Sequence, residues 1–434
     1  MDARLEELKA YLSTIPVVDT HEHLPLSETL RLREQPADFL AEYFTQYIHS
    51  DLVSAGMTRE EQRKLWDTSI PVSARWAMLE PYWQACRHTG YGRCVRETVK
   101  ALYGEEDVTA ANVEALSESF LAARKPGRYE DILRTRCHIK TSLLNQWGED
   151  YYEVLDRSFF TPVYALDWLI APDGLGDLER LSRSTGIPVR DFDSWLAASE
   201  AELLNAIDRH ATRVFKIATA YDRSIYFPET DRAEAEGEFR EVVAGLRGRP
   251  TFAGPIGSAF RHAAAFQNYM ANHLMKTLEG REVTVQIHTG LHEGCYNEIR
   301  NSDPTLLTNL FQRYEEIRFD IFHISYPFQN RLAVLAKNYP NVCIDMCWAH
   351  IISPTASIRA LREFIDTVPL SKISAFGGDY STLEQVVGHL AIAKDDVART
   401  LDGMMADGIL DMTEAKRVGK QLFYDNPMRI FRIE

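Results

Sequence analysis

Residues 318–347 read RFDIFHISYPFQNRLAVLAKNYPNVCIDMC. Apolar, β-branched runs stand at its two ends, RFDIFHI (318–324) and NVCIDMC (341–347). Between them QNRLAVLAKNY (329–339) repeats its apolar residues at i, i+3 and i+4. A strand, a helix and a strand in that order predict a parallel pairing joined by a crossover. The same rhythm continues outward in both directions. TIPVVDT (14–20), CHIKTSL (137–143), FFTPVYALD (159–167), RVFKIAT (213–219), EVTVQIHT (282–289) and KISAFGGD (372–379) bring the strands to eight, with helical periodicity over 193–211 and 239–247 among them. Eight such units close a (β/α)8 TIM barrel of the α/β class.

One segment departs from the rhythm. Residues 25–135 contain no convincing strand but several helical patches, SARWAMLEPYWQACRHT and VEALSESFLAARK among them. This predicts a helical insertion after strand 1, within a single domain spanning 1–434. The insertion either covers the mouth of the barrel or serves as a packing subdomain. KPGRY (125–129) and APDGLGD (171–177) are the most turn-rich linkers.

Composition narrows the function classes. The chain has 434 residues, 45% of them hydrophobic, which suffices for a large core and excludes disorder. Its formal charge of −15 is spread along the chain, so nucleic acid is excluded as the expected partner in favour of a small-molecule substrate, with homo-oligomers left open. The first twenty residues carry acids where a secretory leader would carry bases, and no stretch is apolar enough to span a membrane, so a cytoplasmic protein is expected. Six cysteines (Cys86, Cys94, Cys137, Cys295, Cys343 and Cys347) form no CxxC pair and are expected as reduced, mostly buried thiols. Nucleotide-binding glycine motifs, GxSxG and HExxH are all missing from the sequence.

The polar residues near the C-terminal ends of the predicted strands carry the chemistry. His21 and His23 follow VVDT and point the same way, roughly 6–7 Å apart along an extended backbone. His288 ends VTVQIHTG, His323 lies in FDIFHISYP and Asp379 ends SAFGGDYS. Burying four imidazoles and a carboxylate in a barrel costs several kcal/mol unless they are paired or coordinated. A divalent cation offsets that cost, and this donor set suits Zn²⁺ or a related transition metal. Lys216, in RVFKIATAY, has three readings: a tail reaching solvent, a partner for a substrate anion, or an amine carboxylated by CO₂ to bridge two metals. His292 (TGLHEG) and His350 (CWAHIISP) follow strands 5 and 7 and are candidates to touch substrate. Arg223 (AYDRSIY) is a candidate to grip a carboxylate by a two-pronged ion pair.

This set resembles the amidohydrolase superfamily: HxH after strand 1, Lys216 after strand 4, His288 and His323 after strands 5 and 6, Asp379 after strand 8. QIHTG, HISYPF and GGDYS are similar more narrowly to the amidohydrolase-2 group, the nodulin-like hydrolase domains sometimes fused to glutamine synthetase. The likeness covers residues 210–434 and strand 1 well and the insertion poorly. It implies a hydrolase that cleaves an amide, ester or similar bond with a metal-activated water, using one or two ions. His21, His23, Lys216, His288, His323 and Asp379 would be the ligands. Asp379 would orient the water and relay its proton, and His323 would bind metal or polarise the carbonyl. The superfamily also holds uronate isomerases and decarboxylases on nearly the same ligands, and a barrel that had lost catalysis is a further alternative.

Overall fold

The computed structural model describes residues 3–34, 37–146, 151–246 and 259–433. Eight parallel strands pair in chain order: β1 (Val17–Glu22), β2 (Ile139–Asn145), β3 (Phe160–Ala165), β4 (Val214–Ile217), β5 (Thr284–Ile287), β6 (Arg318–Ile321), β7 (Val342–Asp345) and β8 (Ile373–Ser374). Each lies within or overlaps an expected run. The chain beyond β8 completes the ring, as Thr20 N–H donates to Phe376 O (3.0 Å), Asp379 N–H to His21 O (2.8 Å) and His23 N–H to Tyr380 O (2.9 Å). These three bonds matter for the chemistry, because they fix the backbone of Asp379 between those of His21 and His23.

Helices cover the outside of the later strands, including Phe192–Asp208, Ala264–Leu278, Gln329–Asn338, Pro354–Thr367 and Gln385–Ala406. Between β2 and β3 the alternation shrinks to the single turn Tyr151–Val154. The starting end of the barrel is closed by the C-terminal tail, where Ile430 and Phe431 pack on Val18, Leu143, Val163, Val214 and Cys343. Ile430 O accepts from Thr284 Oγ1 (2.7 Å) and Arg318 Nη1 (2.6 Å), which anchors the plug to β5 and β6. Among the described residues, no helix is long and apolar enough to cross a membrane.

The described residues between β1 and β2 hold no strand, and run through helices from Glu28–Arg33 to Val113–Ala123. One continuous apolar core joins this segment to the barrel, so its Phe39, Trp76, Trp83 and Phe120 are buried in the same cluster as Ile287 and Phe319. A tight seam lies between Gly90–Tyr103 and Gln385–Ala406. A Cβ on Gly388 would meet Thr98 Oγ1 at 2.2 Å and Cys94 O at 2.5 Å. Because one obstacle is backbone, no rotamer change clears it. Gly388→Ala is therefore expected to lower stability by about 1–3 kcal/mol, the usual cost of overpacking, read as a lower denaturant midpoint in equilibrium unfolding.

Candidate metal centre

The strands end in polar residues that turn toward one another. His21 Nε2 lies 3.3 Å from His23 Nε2, and Asp379 Oδ1 lies 3.6 Å from the first and 3.3 Å from the second. The other carboxylate oxygen, Oδ2, lies 3.8 Å from His323 Nε2, which is 3.1 Å from His288 Nδ1. One carboxylate from the segment after β8 thus stands between a pair of imidazoles at the end of β1 and a pair after β5 and β6.

The outer nitrogen of each ring is held by an acceptor, and this determines where its proton sits. His23 Nδ1 is 2.8 Å from Asn145 O, His323 Nδ1 is 2.9 Å from Cys347 O, and His288 Nε2 is 3.0 Å from Leu291 O. His21 Nδ1 faces Gln286 Oε1 at 3.2 Å, and the Gln286 amide is oriented by donating its own Nε2 to Thr20 O (2.9 Å) and Asp320 Oδ2 (3.3 Å). A carbonyl can only accept, so each neutral ring keeps its proton on the outer nitrogen and turns a lone pair inward. Burial, reinforced by the nearby Lys216 charge, holds His21 and His288 well below the ordinary imidazole range, and burial lowers His323 to about 4.

The backbone around this centre is strained. His323, Ile324, Ser325, Trp348 and Asp379 all have φ between 48° and 62°, a region that costs a non-glycine residue about 1–3 kcal/mol and that Tyr47, His138, Ala211, Glu282 and Arg432 also adopt. The first five lie just past the ends of β6, β7 and β8. The helical segment after β1 helps hold them: Gln46 Nε2 donates to Asp379 O (3.0 Å), Gln46 Oε1 accepts from Ser381 N–H (2.6 Å), and the Tyr47 hydroxyl also donates to Asp379 O. Tyr47 stacks on Trp348 at 4.6 Å. The insertion therefore packs as a subdomain and also supports the mouth.

The remaining candidates divide. Lys216 is buried on β4 with Nζ 3.4 Å from the centroid of Phe322, whose ring edge meets His21 and His323; burial lowers its amine to about 8. His292 stacks on His288 at 5.3 Å, is lowered by burial to about 4, and has both ring nitrogens buried without a hydrogen-bond partner among the described residues. His350 corrects the expectation that it faces substrate. Its Nδ1 pairs with Asp396 Oδ2 (2.9 Å) and its Nε2 with Ala375 O (3.0 Å), so both nitrogens are occupied in a fully buried structural bridge. Arg223 is corrected likewise. Its Nε donates to Ser224 O (2.8 Å) and Nη2 to Tyr226 O (2.9 Å) and Asn268 Oδ1 (2.7 Å), which uses the two-pronged edge, while Nη1 donates to Gln267 Oε1 (3.0 Å). Sequence reasoning missed Cys347, Gln286, Gln46 and Tyr47. Only Cys347 carried a usable signal, as a potential donor at the end of a strand.

Lone pairs and a carboxylate gathered at the C-terminal mouth of a parallel (β/α)8 barrel define a class of protein whose strand ends are suited to a divalent cation. Sequence comparison then gives the particular lineage. The chain belongs to the amidohydrolase family, whose profile matches residues 196–433, more than half of its length. Protein fluG of Emericella nidulans is 30% identical over 188 residues, 42% of this chain, and the match spans 21% of fluG. The fold is similar to that of glucuronate isomerase from Caulobacter crescentus (TM-score 0.76, 17% identity, 100% of this chain and 94% of that one). It is also similar to uronate isomerase from Thermotoga maritima (TM-score 0.76, 14% identity, 99% and 98%). A Lactobacillus casei ATCC 334 protein provisionally assigned as a metal-dependent hydrolase gives a TM-score of 0.68 at 14% identity over 98% and 97%. At these identities the structural likenesses show the fold alone.

If Gln46 holds the Asp379 backbone for ligation, Gln46→Ala is expected to weaken cation binding about 10-fold, within the range for outer partners of a metal site. The far-ultraviolet circular dichroism should stay unchanged. Competition with a chromogenic chelator measures the loss.

Proposed function

We propose that this amidohydrolase-family barrel is a metal-dependent hydrolase that cleaves an amide, ester or similar bond in a small molecule. The observation that carries the reading is the His288–His323 pair: two buried, neutral imidazoles present lone pairs to each other at 3.1 Å, with both outer nitrogens tied to backbone carbonyls. No proton is available to join them, and two acceptors at that distance repel. A cation relieves the repulsion, and nitrogen and carboxylate donors favour Zn²⁺ or a neighbouring transition metal.

The ligands proposed are His21, His23 and Asp379 for one ion, with His288 and His323 available to a second. A bound divalent ion supplies Lewis acidity toward a carbonyl and toward water. The chain's own groups do the rest. As a carboxylate, Asp379 can accept the proton of an attacking water at one oxygen and return it to the leaving group. His292, with two buried nitrogens that lack partners among the described residues, would bind a polar group of the substrate. Lys216, lowered to about 8, keeps a neutral fraction near neutral pH, the form that either reacts with CO₂ or exchanges a proton with a bound anion.

Isomerisation of a uronic acid is the second reading, supported by isomerases whose fold matches over 99–100% of this chain. It requires a cation for the substrate carboxylate. Arg223, the residue expected for that role, has its two-pronged edge occupied within the protein, which removes one support from the isomerase.

Chelation should abolish turnover of a panel of small amides and esters, and Zn²⁺ or Mn²⁺ should restore it. Asp379→Asn is expected to lose at least 10²-fold in kcat, in line with removal of a general acid–base. Turnover of uronates with none of the amides or esters would decide for the isomerase. Full activity in metal-free protein would reject both.

A further inference from the structure

A sixth donor stands inside the ring of imidazoles. Cys347 lies two residues past β7, fully buried, and one ligand atom each from His323, Cys347 and Asp379 all fall within 4.8 Å of one another. The backbone of Cys347 is pinned on both sides. Its N–H donates to Asp345 Oδ1 (2.8 Å), and its carbonyl accepts the proton of His323 Nδ1 (2.9 Å). The residue that turns the His323 lone pair inward is thus the same residue whose sulfur stands beside it.

The surroundings of the sulfur set it apart from the other buried thiols of this chain: among the described residues, Cys347 is the cysteine that stands in a cluster of metal-ligating groups. Cys347 Sγ has no hydrogen bond among the described residues, and its polar neighbours are an imidazole lone pair and a carboxylate. The fold also leaves room for it at this position. A Cβ on Gly377, at the end of the neighbouring β8, would meet Cys347 Sγ and Cβ at 2.8 Å each, so glycine there admits the sulfur to the seam beside Asp379.

We propose that Cys347 is a thiolate ligand of a second cation centre, shared with His323 and with Asp379 Oδ2. Asp379 then spans two centres, Oδ1 toward His21 and His23 and Oδ2 toward His323 and Cys347. On coordination the S–H bond breaks, its proton leaves to solvent, and a sulfur–metal bond forms. The sulfur supplies the anionic ligand that a carboxylated Lys216 would otherwise provide, and as a soft donor it biases the centre toward Zn²⁺ and Co²⁺ and away from Mg²⁺ or Ca²⁺. This inference rests on the metal-dependent reading above.

The test is spectroscopic and needs no substrate. Apoprotein of the full chain is titrated with Co²⁺, and thiolate-to-cobalt charge transfer is followed in the near ultraviolet. The expected result is a charge-transfer band in the wild-type protein that Cys347→Ser removes and that Cys295→Ser, a change at the exposed cysteine, leaves in place. Cys347→Ser should also weaken binding of the second Co²⁺ at least 10-fold. Should Cys347→Ser fail to fold, zinc-edge X-ray absorption on wild-type protein decides, with a sulfur scatterer expected at about 2.3 Å. Co²⁺ bound without a sulfur band, as a carboxylated Lys216 would give, overturns the proposal and leaves the metal-dependent reading intact, as does a band that survives in Cys347→Ser. A wild-type chain that binds neither Co²⁺ nor Zn²⁺ overturns both.

Discussion

Two acceptor atoms cannot face each other across 3 Å of protein interior without a positive charge nearby, and this constraint organises the barrel mouth. His288 and His323 are arranged as such a pair by Leu291 O and Cys347 O, which take the outer protons. His21 is arranged in the same sense through Gln286, whose amide is oriented by Thr20 O and Asp320. The partners that fix each tautomer lie on β1, β2, β5, β6 and the loops after β5 and β7. The electrostatic problem is therefore created by the whole ring of strands, and no single loop can relax it. Among the described residues, Lys216 is the one buried ammonium in reach, and its Nζ lies over the Phe322 ring, with its own pKa reduced by burial. It does not sit between either pair of nitrogens.

The strained backbone belongs to the same argument. Positive φ at His323, Ile324, Ser325, Trp348 and Asp379 costs several kcal/mol in total by ordinary measures. Such strain persists where surrounding structure dictates it, and here the dictating contacts are visible. Gln46 and Tyr47 clamp Asp379 O from the insertion, Asp345 clamps Cys347 N–H, and Trp348 lies under Tyr47. A segment of more than a hundred residues that shares one apolar core with the barrel supplies the rigidity that a short loop would lack.

The barrel was legible in the sequence because its signal is periodic. Eight apolar runs separated by helical stretches admit few topologies, and every run contains or overlaps its observed strand. The convergence of His21, His23, His288, His323 and Asp379 was legible for a related reason: polar residues at the ends of buried parallel strands share one rim. The roles of Gln46 and Tyr47 were not legible, since they depend on how the insertion docks, which no local period encodes. Gln286 was hidden in a different way. It occupies an inner strand position where a glutamine reads as a neutral filler, and its function exists only through His21 on the far side of the sequence.

Histidine number in a strand-end loop proved a poor guide, and the reason is instructive. His292 and His350 look alike in the sequence, each following a strand by a few residues, and both are buried. They differ in what their nitrogens meet. His350 has a carboxylate on one side and a carbonyl on the other, so it is chemically complete and serves to tie the loop after β7 to the helix Gln385–Ala406 through Asp396. His292 has neither, and a buried imidazole with two unsatisfied nitrogens carries a desolvation cost of about 1–3 kcal/mol per group that the fold alone does not offset. Cys347 is set apart from the other buried thiols by what stands beside its sulfur, an imidazole and a carboxylate. The residues proposed for this site share one kind of incompleteness: a buried polar atom whose partner is not supplied by the described residues, standing where a cation or a substrate can supply it.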